Sequence, residues 1–184
     1  MGELLALKWE DVDFSMAQLH VRRTINRLAK YEAHAGESKT EIVFGTPKTK
    51  NSRRTIPLTH TMIDELTRWK NLQAQDKQRA GDKYLDNGFV VTNEFGHYIE
   101  QKTFKDYYDR LLKDADIGHF TFHALRHTFA TRALERGMDY KTLSAILGHY
   151  SVAFTMDTYV HSMDEHKRRE MDKMDDMFGM RYSI

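Results

Sequence analysis

Cysteine is missing from the 184-residue sequence altogether, which excludes a disulfide scaffold, thiolate metal sites and thiol catalysis together. Proline occurs twice and glycine ten times, too few for a collagen-like or proline-rich chain. No apolar run approaches the roughly 18 residues that cross a bilayer, and no basic region followed by an apolar run opens the sequence as a secretory signal would. These absences lead us to expect a cytoplasmic protein with no membrane partner. An excess of one charge is missing too: 28 Lys and Arg face 27 Asp and Glu, for a net charge of +1, so the total charge points to no class of partner.

What is present is enough to build a core. Apolar residues make up 40%, with ten Phe, nine Tyr and two Trp, a composition foreign to disordered chains. The length suits one domain, or one domain with an arm. The charge is also unevenly spread. Arg22, Arg23, Arg27 and Lys30 form a strip without an acid, and so do Lys48, Lys50, Arg53 and Arg54. Two such strips on a neutral protein fit either a local phosphate-binding face or solvated strand edges. The tail from Met163 to Phe178 is net acidic.

Periodicity sorts the chain into a mixed, mainly α class. Gly2 to Trp9 reads as a helix with no N-cap before it, the pattern of a fragment of something longer. Leu19, Val21, Arg23 and Ile25 alternate as a strand does. Ile42–Phe44 and Arg53–Leu58 read as two more strands around a turn at 48–52, giving a small three-stranded antiparallel sheet near the N-terminus. Thr59 caps a helix whose face is Ile63, Leu66, Trp69 and Leu72. Phe104, Tyr107, Tyr108, Leu111 and Leu112 mark another. A third helix runs from about His123 to Arg136 and stops at Gly137. Asp139 and Ser151 are N-caps of two short helices, the first ending at Gly148 and the second running through Tyr159.

The chemistry-bearing residues lie in Thr121–Thr131, in Leu147-Gly148-His149, and in Thr155–His161. Their order, His123-x-x-Arg126, then His149 after Leu-Gly, then Tyr159 ten residues later, resembles the catalytic domain of the tyrosine recombinases, the phage-integrase family. Pro47-Lys48-Thr49-Lys50 before Arg54–Leu58 resembles the hairpin that carries the family's lysine, and Gly2-Glu3-Leu4-Leu5 the helix after its first arginine. The resemblance spans nearly the whole chain, with a flavour of integrases from phages and conjugative transposons. It implies an α+β, mainly α fold in which the small sheet packs on a helical bundle. It also implies a catalytic domain at residues 1–162 and a helical tail at residues 163–184, a candidate for docking on another protomer.

The resemblance implies a site as well. Tyr159 is the nucleophile, Arg126 holds the scissile phosphate, and His123 accepts the tyrosine proton or binds the phosphate. His149 donates a hydrogen bond to the phosphate, and Lys48, with Lys50 as the alternative, protonates the leaving oxygen. His127 supports these groups through a buried hydrogen bond. The physical chemistry agrees. A tyrosine hydroxyl with a pKa near 10 needs help to attack at neutral pH, and guanidinium groups match the charge that grows on a phosphodiester. The reaction needs no cofactor and no metal. The implied partners are double-stranded DNA attachment sites and other integrase protomers in a synaptic tetramer, at the bacterial nucleoid.

One departure bears on activity. The family's first arginine falls one position before Met1, so the expectation is a domain truncated just after that arginine and catalytically impaired. The rival to a recombinase is therefore a DNA-binding or dimerising module of such an integrase. A third reading, a metal-dependent nuclease, rests on the four-residue spacing of His119, His123 and His127. The methionines Met171, Met174 and Met177 fit docking on a neighbouring protomer and packing within the same chain equally.

Overall fold

The computed structural model describes residues 1–30, 38–46, 52–159, 168 and 171–174. Lys48, Lys50, Met177 and Phe178 lie outside them. The chain divides into two compact units, Met1–Phe122 and His123–Ile184.

In the first unit a single turn of helix, α1 (Gly2–Leu5), leads to β1 (Val12–Asp13), β2 (Gln18–Val21), β3 (Thr24–Ala29), β4 (Thr40–Gly45) and β5 (Arg54–Pro57). The strands form two antiparallel sheets: β1-β2-β5 is three-stranded and β3-β4 two-stranded. A three-stranded antiparallel sheet near the N-terminus is thus present, with a different membership from the one the pattern suggests. The alternation from Leu19 to Ile25 is two strands that part at Arg22-Arg23, where Arg23 turns to the carboxylates of Glu10 and Asp11. β5 returns to β2, with Val21 opposite Arg54, while β4 pairs with β3.

Two apolar clusters hold this unit together. Leu7, Val12, Leu58 and Val90 pack with Ile63 and Leu66 of α2 (His60–Ala80). Leu5, Ala6 and Ile25 pack with Ile42, Tyr98 and Phe104. Each fully buried aliphatic side chain contributes about 1.5–3 kcal/mol of transfer free energy. Gly2 is required by close approach: a Cβ there would stand 2.7 Å from Thr24 Oγ1 and 2.8 Å from the Ile25 carbonyl. Thr59 caps α2 by accepting from the Met62 amide. Gln73 of α2 is buried yet well partnered. It accepts from the Trp9 indole at 2.6 Å and donates to the Phe89 carbonyl and Thr92 hydroxyl. On α3 (Gln101–Asp114) only part of the apolar face is covered: Phe104 and Tyr108 meet Phe122 edge-on, while Tyr107 and Leu111 are exposed.

The second unit is helical. It comprises α4 (Phe122–Glu135), which begins at the last residue of the first unit, then α5 (Tyr140–Leu147) and α6 (Val152–Thr158). Residues 171–174 are helical as well. Ala130, Ala133, Leu134, Leu143, Leu147 and Tyr159 form its core. The N-cap signals hold, with Asp139 accepting from the Thr142 amide and Ser151 from the Phe154 amide. Gly148 ends α5 in the left-handed region, at φ 72°, where an L side chain would be strained. Among the described residues, no helix is long and apolar enough to cross a membrane.

Candidate active site

The site begins with the end of α5. The Gly148 turn sends both its own amide and that of His149 back to the Ser144 carbonyl, at 2.9 and 3.1 Å. This reversal projects the His149 ring towards α6, where Nδ1 lies 2.8 Å from Thr155 Oγ1. Thr155 is fully buried, so the hydroxyl fixes the ring from below. Phe154 packs edge-on against the same imidazole, 4.9 Å between centroids.

Arg126 and the histidines come from α4. Arg126 Nη2 donates to the Leu147 carbonyl at 2.5 Å, which ties the guanidinium to the C-terminal end of α5. That acceptor is neutral, so the bond orients Arg126 without cancelling its charge. His123 and His127, one helical turn apart, stand edge to face with ring centroids 4.7 Å apart. The pKa of His123 is lowered by partial burial, then by its electrostatic interactions with the neighbouring His127 and Arg126. This favours the neutral imidazole, although solvent still reaches the ring.

Tyr159 closes the arrangement from the end of α6. It is 7% exposed, its ring in the core against Ala130, Ala133, Leu134, Leu143 and Leu147. Its hydroxyl lies 3.2 Å from His127 Nδ1. Burial raises the Tyr159 pKa, and the Arg126 charge opposes that rise. The hydroxyl is thus protonated at neutral pH and needs an acceptor for its proton before it can attack.

Of the residues singled out in the sequence, Arg126, His123, His127, His149 and Tyr159 therefore gather in one unit, linked through Leu147 and Thr155. The pattern left Thr155 without a role; its position four residues before Tyr159, one turn back on the same helix, was the available signal. His127 does meet Tyr159, but its ring is exposed, so that hydrogen bond is less buried than expected. Lys48 and Lys50 lie outside the described residues. Among the described residues, no three His, Asp or Glu side chains converge as a metal site.

The first unit carries a second set of arginines. Arg54 donates to both carboxylate oxygens of Glu3, at 3.0 and 2.9 Å, and to the Ser52 carbonyl. Arg23 pairs with Glu10 and with the buried Asp11, and Arg27 with Glu100. Such bidentate and charge-assisted pairs are the geometry guanidinium favours.

Comparison with known proteins gives a consistent answer. Residues 1–166 match the phage integrase family. The XerC-like tyrosine recombinase of Caldanaerobacter subterraneus subsp. tengcongensis is 37% identical over 180 residues, 96% of this chain and 46% of that protein. The ICEBs1 integrase of Bacillus subtilis is 29% identical over 180 residues, 96% of this chain and 45% of that protein. This chain thus spans less than half the length of these curated relatives. Among solved structures, the Tn1549 transposon integrase bound to a circular intermediate DNA superposes with a TM-score of 0.70. It is 24% identical and covers 95% of this chain and 54% of that one, a likeness of fold. The XerA recombinase gives a TM-score of 0.61 at 26% identity, over 98% of this chain and 53% of that one.

Proposed function

This chain belongs to the phage integrase family, and we propose that it is the catalytic domain of a site-specific DNA recombinase that cuts and rejoins duplex DNA through a 3′-phosphotyrosine. The observation that carries the reading is the Tyr159 hydroxyl held 3.2 Å from His127 Nδ1, on the unit that also holds Arg126 and His149.

In this reading Tyr159 Oη attacks the scissile phosphorus, a P–O(Tyr) bond forms, and the P–O5′ bond breaks. The tyrosine proton passes to an imidazole. His127 is the one in contact. His123, the acceptor or phosphate ligand that the family likeness suggests, stands edge-on to it, and its lowered pKa keeps it able to take a proton. Arg126 binds the non-bridging oxygens as their charge grows, and His149 donates to the same group from its Thr155 support. Preorganised donors of this kind are each worth roughly 3–4 kcal/mol of transition-state stabilisation. Lys48, or Lys50, gives its proton to the departing 5′-oxygen. The ester to Tyr159 keeps the bond energy, so the reverse attack by a 5′-hydroxyl rejoins the strand.

The partners we propose are double-stranded attachment sites and further protomers in a synaptic tetramer. Such chemistry takes place where the chromosome is, at the nucleoid in the bacterial cytoplasm. Within these 184 residues Arg126 is the arginine assigned to the scissile phosphate. A second arginine supplied one position upstream is expected to raise cleavage on the order of a thousandfold.

The test is covalent trapping on a nicked suicide duplex carrying the parent element's attachment site, with the 184 residues run beside a version extended upstream. An adduct that disappears with Tyr159→Phe supports the recombinase. Salt-sensitive DNA binding with no adduct from either version would instead leave a DNA-binding module.

A further inference from the structure

The two basic strips of the sequence, some thirty residues apart, meet on neighbouring strands. β2 and β5 are antiparallel with His20 opposite Thr55 and Val21 opposite Arg54. Arg22 and Arg53 are the next residues along the two chains, just past that last pair. His20, Val21, Arg22, Arg53, Arg54 and Thr55 together line a solvent-open basin of about 530 Å³. Its wall is ordered by a bond between His20 Nδ1 and Thr55 Oγ1 at 2.9 Å, and the Glu3 pair and the Ser52 carbonyl fix Arg54 at its back.

The cations of the two strips are not equivalent. Arg23, Arg27 and Arg54 are each tied to a carboxylate. Arg22 is exposed, and the acid it reaches is Asp11, at 3.7 Å. That carboxylate also receives Arg23 and the Lys8 amide. Arg53 is exposed and has no partner among the described residues. Like charges set opposite one another on adjacent strands destabilise a sheet. Here two exposed arginines, each next in sequence to the last pair of the ladder, line one basin beside a polar wall on a protein of net charge +1. An anion between them would relieve the repulsion and use both planar donors.

We propose that Arg22 and Arg53, brought together at the end of the β2–β5 ladder, bind a backbone phosphate of duplex DNA. The proposal rests on the reading of the chain as a DNA recombinase and adds to it a phosphate site built from the first unit alone. The contact positions the duplex and carries no base information.

The experiment measures equilibrium binding of the chain to a duplex of the attachment site across a range of salt, with covalent trapping on the same sequence in parallel. The double variant Arg22→Gln with Arg53→Gln is expected to flatten the slope of log K against log salt by about one, because the one phosphate that meets no arginine keeps its condensed counterion. Arg22→Lys with Arg53→Lys should keep most of the slope. The control is Arg68→Gln with Arg79→Gln, which removes the same charge from α2, where both arginines sit in exposed ion pairs with Glu65 and Asp76. A slope unchanged in the basin variant, or lowered equally by the control, overturns the proposal while a Tyr159-dependent adduct leaves the recombinase reading standing. Wild-type protein with neither salt-dependent binding nor an adduct would overturn both.

Discussion

The arginines of the first unit and the polar groups of the second are held in opposite ways. Arg23, Arg27 and Arg54 each meet a carboxylate. In the second unit, Arg126 is held by a carbonyl, His149 by a hydroxyl and Tyr159 by an imidazole. A carboxylate orients a guanidinium and also neutralises it. A neutral acceptor orients it without itself cancelling the charge. The first arrangement builds stability; the second is the kind of orientation that the proposed chemistry would use where charge develops on a phosphate. Arg22, 3.7 Å from its nearest acid, and the exposed Arg53 are less closely paired than Arg23, Arg27 and Arg54, which is why they stand out as a binding pair.

Substitutions can break that contrast. The largest effect is expected at Arg126: Arg126→Met should slow cleavage by roughly 10²–10³ with little change in unfolding free energy, read by single-turnover cleavage and by urea denaturation. At Asp11 the effects should reverse. Asp11→Ala leaves Arg23 without its buried partner, and the loss of stability should be about 3 kcal/mol, seen as a lower urea midpoint. Thr155→Val should cost about 1 kcal/mol and slow cleavage several-fold by freeing the His149 ring. Asp139→Ala and Ser151→Ala, which remove N-caps outside the site, should each cost about 1 kcal/mol without altering the cleavage rate of the folded protein.

A pH series sharpens the same comparison. His123 has a folded-state pKa below its usual 6.5, so the unfolded chain binds the proton more readily. Its contribution to stability is complete above about pH 6.5 and is lost as the pH falls through the lowered pKa. His123→Gln should flatten that part of the acid decline in melting temperature. Tyr159 behaves oppositely: its pKa is raised, so its contribution is complete below about pH 10 and lost above it. Tyr159→Phe should remove that alkaline loss.

Much of this organisation is legible in the sequence because its causes are local. Thr59, Asp139 and Ser151 cap helices through amides three residues away, and Gly148 supplies a turn that other residues enter at a cost. The residues brought together on the second unit are close in sequence, within a 37-residue span from His123 to Tyr159. The partition of strands was not legible, since pairing is a non-local choice. Nothing between Leu19 and Ile25 announces that Arg22-Arg23 separates two sheets, because the acids that capture Arg23 lie a dozen residues earlier. For the same reason the strips read as either a binding face or solvated edges. The β2–β5 pairing brings Arg22 and Arg53 to one basin, and their looser ion pairing distinguishes them from Arg23, Arg27 and Arg54. The Thr155–His149 contact depends on the direction in which the Gly148 turn projects a ring.

The central claim is that Tyr159 forms the covalent bond to DNA. Its most direct test is to isolate the trapped protein–DNA adduct, digest it, and locate the nucleotide by mass spectrometry. The account predicts a 3′-phosphonucleotide on the peptide that contains Tyr159. The same mass on another residue, such as the exposed Tyr150, would contradict it.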